Sequence, residues 1–189
     1  AFNSCSSLTA VDTRALKAIG TSAFSGCASL RSIETAAVTA FGDSSFSGCS
    51  SLTEVDMRSA TYIGASAFYR CGSLLQADAR AAASIGDSAF HFASRLQEAD
   101  VSGATRVGNF SFAYCDGLVG VDARSATSIG GSAFRSCGAL RDVYVSPGGA
   151  QIGQDAFEGT LLAAQVDNTQ LVRDERDQVL ARLHADEEA

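Results

Sequence analysis

Histidine occurs only twice in the 189 residues, at His91 and His184, and proline only once, at Pro147. Acid–base and metal-assisted catalysis draw heavily on imidazole, so enzyme chemistry has little to stand on here. No Cys-x-x-Cys pair offers zinc spacing, and no glycine loop is followed by Lys at the spacing of a phosphate-binding loop. No metal or cofactor is therefore expected. Nor does any apolar run approach the roughly 18 residues that a membrane-spanning helix needs, and the chain does not open on a charged segment leading into an apolar signal core. Basic stretches are missing too. The formal charge is −7, and residues 161–189 alone carry seven acids against three arginines, which excludes a nucleic-acid surface.

What is present is a repeat. Phe stands at 2, 24, 46, 68, 90, 112 and 134, a constant step of 22, and then at 157 after a step of 23. Four residues before each Phe from 24 onward is Gly, from Gly20 to Gly153, preceded by an apolar residue such as Ile19, Phe41, Ile63 or Val107. Six residues after the Phe comes Leu, from Leu8 to Leu140. Identical apolar residues at a fixed period mean that units stack and share one continuous core. Segments such as Leu52-Thr53-Glu54-Val55-Asp56-Met57 alternate inward and outward as strands do. Residues 7–145 are thus predicted to form seven short parallel strands, one repeat apart, with the Leu, Val, Phe and Ile columns buried. The recurrent Gly fits either a positive φ or a close backbone approach. The Ser-Ala-Phe-x-x-Cys piece is long enough only for a short turn, with Ser22, Ser44, Ser66, Ser88 and Ser132 placed to accept hydrogen bonds from freed amides.

This pattern closely resembles the BspA-type leucine-rich repeat, whose units read I-G-x-x-A-F-x-x-C-x-x-L-x-x-I, over residues 1 to about 160. The resemblance implies a repeat solenoid with a parallel β-sheet on one face and short turns or 3-10 segments on the other. It further implies a non-catalytic binding protein. Two departures stand out: proline after the strand survives only at Pro147, and the third strand position, usually large and aliphatic, holds Thr13, Thr35, Met57, Ala79, Val101, Ala123 and Val145, which predicts a thinner array. Residues 161–189 read as a C-terminal cap. In them Asp167 and Gln170 resemble a capping box, and Leu171, Val172, Val179, Leu180 and Leu183 share one face of an acidic amphipathic helix. Ala1-Phe2 falls in the middle of a repeat, so the N-terminal edge is expected to be continued by more repeats or covered by another chain.

Three columns are candidate sites. Cys5, Cys27, Cys49, Cys71, Cys115 and Cys137 all stand three residues after Phe, with Ala93 in the remaining slot, which marks a position for a small buried residue. Parallel neighbours do not bring Cβ atoms to the roughly 3.8 Å of a disulfide, so the six are expected to be reduced, buried structural thiols, as in a reducing compartment. Asp12, Glu34, Asp56, Asp78, Asp100 and Asp122 point out from the strands, with Arg14, Arg58, Arg80 and Arg124 two residues along on the same face. The plain reading is a charge-compensated ladder on the concave surface. A polar face for a basic partner, or for calcium, is the functional one, although calcium wants six to eight converging oxygens.

The third candidate lies where the repeats cease to be alike. After the buried Phe the early repeats carry Ser25-Gly26 and Ser47-Gly48, whereas the middle ones carry Tyr69-Arg70, His91-Phe92 and Ala113-Tyr114. Phe110 replaces the turn Ser, and Tyr62 precedes Ile63. Tyr62, Tyr69, His91, Phe92, Phe110 and Tyr114 are therefore predicted to form an exposed patch that binds a protein partner. The alternative is that Phe92 and Phe110 tuck inward to fill the space left by Ala93. Function reads as a protein-binding or scaffolding module, an accessory subunit of a larger assembly. A cell-surface adhesin and a solenoid support for an enzyme encoded elsewhere in a longer chain remain open at this point.

Overall fold

A computed structural model describes residues 2–145 and 149–162. The helix expected at 167–186, His184 and Pro147 lie outside the described residues. Thirteen short strands follow one another: β1 (Ala18–Ile19), β2 (Ser32–Ile33), β3 (Ala40–Phe41), β4 (Glu54–Val55), β5 (Tyr62–Ile63), β6 (Gln76–Asp78), β7 (Ser84–Ile85), β8 (Glu98–Asp100), β9 (Arg106–Val107), β10 (Gly120–Ala123), β11 (Ser128–Ile129), β12 (Asp142–Val145) and β13 (Gln151–Ile152). Every pairing is parallel. The odd-numbered strands form one seven-stranded sheet, and the even-numbered ones form a two-stranded sheet, β2–β4, and a four-stranded sheet in the order β12–β10–β8–β6. The register is set by the repeat: Val121 lies between Ala99 and Val143, and Phe41 between Ile19 and Ile63. The extra residue ahead of Phe157 is absorbed before β13, where Ile129 still faces Ile152.

The chain is a parallel β-solenoid, with two differences from the sequence reading. Each repeat contributes a second strand, at the residue pair before the Gly, where a β-branched or aromatic residue packs inward. In the Leu-x-x-Val column six segments form strands rather than seven, because Val11-Asp12 makes no ladder pairing.

Between the sheets, the Ser-Ala-Phe turns are themselves stacked by hydrogen bonds. Alternate amides point along the solenoid: the N–H groups of Ser44, Phe46 and Gly48 donate to the carbonyls of Ala65, Ala67 and Tyr69 at 2.7–2.8 Å. The intervening amides of Ser45, Ser47 and Cys49 bond back within their own turn at 3.0–3.1 Å. This alternation forces left-handed backbone at two positions per turn. The turn serines occupy one of them, with Ser22, Ser44, Ser66, Ser88 and Ser132 at φ of 52 to 55°. Their hydroxyls do not cap the turn; what the position uses is a small residue that tolerates positive φ. The Gly column, by contrast, exists for close approach. A Cβ on Gly86 would sit 2.5 Å from the amide nitrogen of Ala65 in the preceding repeat.

The core is a set of identical ladders. Eight phenylalanines from Phe2 to Phe157 stack with centroids 5.0–5.5 Å apart and interplanar angles of 12° or less. Each such contact adds about 0.5–1.5 kcal/mol beyond burial. The Leu column from Leu30 to Leu140 and the third strand position, from Thr13 to Val145, are buried. At that third position Thr13 and Thr35 donate their hydroxyls to Glu34 and Asp56 carbonyls, so buried polarity is satisfied. Outside, Thr39, Thr61, Thr105 and Thr127 each donate to a carbonyl of the preceding repeat at 3.1–3.3 Å.

Candidate functional site

None of the six cysteines is paired, and five are buried. Cys5 is the correction, since it is exposed. No described residue stacks on its outer side, just as Phe2 keeps 40% of its surface accessible. The buried thiols have a specific partner. Cys49 donates its S–H to the Phe24 carbonyl at 3.0 Å, and Cys27, Cys71, Cys115 and Cys137 do the same to the Phe carbonyl one repeat back at 3.0–3.1 Å. Burial pushes the Cys49 thiol up to about 12, so this sulfur is a packing group rather than a nucleophile.

On the strand face, Arg14 is paired with Asp12 at 2.7 Å, Arg58 with Asp56 at 2.6 Å, Arg124 with Asp122 at 2.5 Å, and Arg80 with Asp78 at 2.7 Å and Asp100 at 3.5 Å. The same carboxylates turn the chain: Asp12, Asp56, Asp100 and Asp122 accept the backbone amide two residues on. The Arg58 hydrogen bond holds the Asp56 carboxyl below its ordinary range. Such exposed pairs contribute about 0–1 kcal/mol each. Among the described residues, no group of three or more His, Cys, Asp and Glu is placed to hold a metal ion.

The outer turns are where the repeats differ in substance. His91 stacks on Phe92 at 4.3 Å and 10°, Phe92 on Tyr114 at 4.9 Å and 21°, and Phe110 lies 6.1 Å from His91. Tyr69 closes the cluster edge-on, 5.5 Å from His91 and 6.1 Å from Phe92. Neither Phe92 nor Phe110 belongs to the core: Phe110 is 43% accessible and Tyr114 38%. Tyr62 stands apart from these rings on β5, exposed, with its hydroxyl donating to Asp43 at 3.3 Å. Two groups escaped the sequence reading. Arg70 places its guanidinium 5.2 Å from the Tyr69 ring and 5.6 Å from the Phe92 ring. After the Gly, Asp43, Asp87 and Asn109 each accept the amide of the residue 22 positions on, a column betrayed only by that spacing.

The backbone beneath the cluster is unusual. Arg70, Phe92, Phe110 and Tyr114 all have positive φ, between 52 and 62°, at turn positions where other repeats place Gly26, Gly48, Gly159 or Ser. Left-handed backbone costs a bulky residue about 1–2 kcal/mol that Gly avoids. Four large side chains are thus displayed at a cost in stability. His91 adds a second strain, because its buried Nε2 has no hydrogen-bond partner. Its pKa is lowered, first by burial and then by the Arg70 charge.

Two stacked parallel strands per 22-residue unit, a buried Leu column and a polar strand face define a leucine-rich repeat solenoid. The chain belongs to the family described as BspA type leucine rich repeat region, which matches it in six copies over residues 1–91 and 79–172. It is similar to the solved leucine-rich repeat protein of T. pallidum, at 23% identity and a TM-score of 0.66 over 80% of this chain and 70% of that one. It is similar also to a leucine-rich cell surface protein of Faecalibacterium prausnitzii, at 18% identity and a TM-score of 0.48 over 77% of this chain and 62% of that one. No curated protein sequence matches the chain.

Proposed function

We propose that this chain is a non-catalytic protein-binding module, a scaffold or accessory subunit, that docks a protein neighbour through the outer-turn cluster of Tyr69, Arg70, His91, Phe92, Phe110 and Tyr114. The observation that carries this reading is the left-handed backbone of Arg70, Phe92, Phe110 and Tyr114. Left-handed backbone recurs in every turn, but elsewhere among the described residues Gly, Ser or Asp fills it; four large side chains accept that cost at this one surface, which supports a site rather than packing. Tyr, Phe and Arg are also the residues that dominate binding hot spots. The Asp/Arg ladder is satisfied internally and serves the turn geometry of the strand face.

The test is selection of displayed random-sequence peptides on the intact chain, followed by binding to the triple variant Tyr69→Ser, Phe92→Gly, Tyr114→Gly. Gly and Ser are what other repeats carry there, so the variant is expected to fold. Selected peptides are expected to lose the variant by about tenfold or more, the scale of a hot-spot truncation. Equal binding to both proteins moves the binding role to the strand face.

A further inference from the structure

We infer that the outer-turn cluster, if it is the binding site proposed above, takes an acidic segment of a partner protein, with a carboxylate at the Arg70 end and an apolar side chain at the Phe110 and Tyr114 end. The charge pattern carries this. Among the described residues seven of ten arginines hold a carboxylate, as Arg14, Arg58, Arg80 and Arg124 do on the strand face, the others being Arg31, Arg70 and Arg95. Arg70 is exposed and has no carboxylate partner among the described residues; two aromatic rings hold its guanidinium instead. A guanidinium held against rings keeps its planar fork of donors free for a bidentate carboxylate and loses little side-chain entropy on binding. Arg95, three residues past Phe92, is likewise exposed and without a carboxylate partner.

No described acid forms an ion pair with Arg70 or Arg95. Asp87 is tied to Arg106 at 2.9 Å and Glu158 to Arg135 at 3.1 Å. The exposed Asp116 lies two residues past Tyr114, away from Arg70 in the repeat order, which sets the polarity: acid toward the Phe68 repeat, apolar toward the Phe112 repeat.

Ring orientation points the same way. His91, Phe92 and Tyr114 are stacked within 21° of one another, so their faces are spent on each other. The inner faces of the stack are covered, and the ring edges, the positive rim of the aromatic quadrupole, favour carboxylate and carbonyl oxygens. A sugar ring, which stacks on aromatic faces, loses the inner faces of the stack, and a lysine-rich segment meets the Arg70 guanidinium.

The experiment sequences the peptides selected above and measures the tightest of them by fluorescence anisotropy. Three further arms are that peptide with its acids changed to the corresponding amides, the Arg70→Gln/Arg95→Gln variant, and a neutral oligosaccharide such as cellohexaose. Expected are peptides with Asp or Glu beside Leu or Phe, an amide analogue weaker by about tenfold, the size of a lost charge-assisted hydrogen bond, and the same loss on the arginine variant with no further loss when both changes are combined. Thermal melts of each variant confirm that the fold is kept. Peptides that need the rings but carry no acid, or that prefer lysine, overturn this inference and leave the binding reading standing. Ring-dependent binding of the oligosaccharide in place of peptides overturns both this inference and the protein-docking reading. Binding unaffected by loss of the rings, or no enrichment at all, overturns both.

Discussion

At the scale of single residues, the columns expose which side chains fit and which do not. Ser45 and Ser111 occupy the inward position that Ala23, Ala67, Ala89, Ala133 and Ala156 fill in other repeats, and each hydroxyl is buried with no partner. An unsatisfied buried hydroxyl costs about 1–3 kcal/mol, so Ser45→Ala and Ser111→Ala are expected to raise stability by about 1 kcal/mol each in urea titrations. His91 gives a pH dependence. Its folded pKa lies below the ordinary 6.5, so the unfolded chain takes up the proton first. Stability is whole above about pH 6.5, falls as the pH drops toward the lowered folded value, and levels off below it. His91→Gln is expected to remove that component of the slope, read as the difference between the two proteins' urea midpoints from about pH 7.5 to about pH 5. The Phe, Leu and Cys columns were legible because a fixed period makes each position its own control. Arg70 was not, because a guanidinium's choice between water and two rings depends on Phe92, 22 residues away, as well as on Tyr69 beside it.

At the scale of the element, the sequence named the strand that alternates, Leu-x-x-Val, and passed over the strand that does not. β1, β3, β5 and their successors are two residues long, too short for any periodicity to register. Their signal was the apolar residue before Gly, read only as one more buried column. The Gly itself was left between two explanations, and the geometry chose. Gly86 has no positive φ, but its missing Cβ admits the Ala65 amide of the preceding repeat; Gly20, in the same column, has nothing within 4 Å. Gly86→Ala is accordingly expected to cost about 1–3 kcal/mol, the range of overpacking, while Gly20→Ala is expected to be nearly neutral. Thermal denaturation of the two variants measures the contrast. Equal losses would mean that the column answers to local backbone preference instead of to stacking. The serines reversed their expected part in the same way: they were read as hydroxyl caps, and they serve as small residues in left-handed backbone.

At the scale of the whole molecule, stability resides in repeated contacts between neighbouring units, stacked Phe rings, ladder amides and S–H bonds, and very little in surface charge. The Asp/Arg pairs of the strand face are exposed and screened by salt. Raising the ionic strength from low salt to about 1 M NaCl, where the Debye length is about 3 Å, is expected to leave the melting temperature within a few degrees. A large drop would assign the ladder a structural weight its exposure denies. The solenoid, its period, its core columns and the solvent side of the Asp/Arg face were determined by the sequence alone, because a 22-residue repeat fixes what lies beside each residue once units stack. What only the tertiary structure decided is which odd residues meet. Tyr69, Arg70, His91, Phe92, Phe110 and Tyr114 come from three units, and their convergence into one stacked, strained cluster, with Tyr62 left outside it, depends on side-chain directions set by left-handed turns that the sequence does not spell.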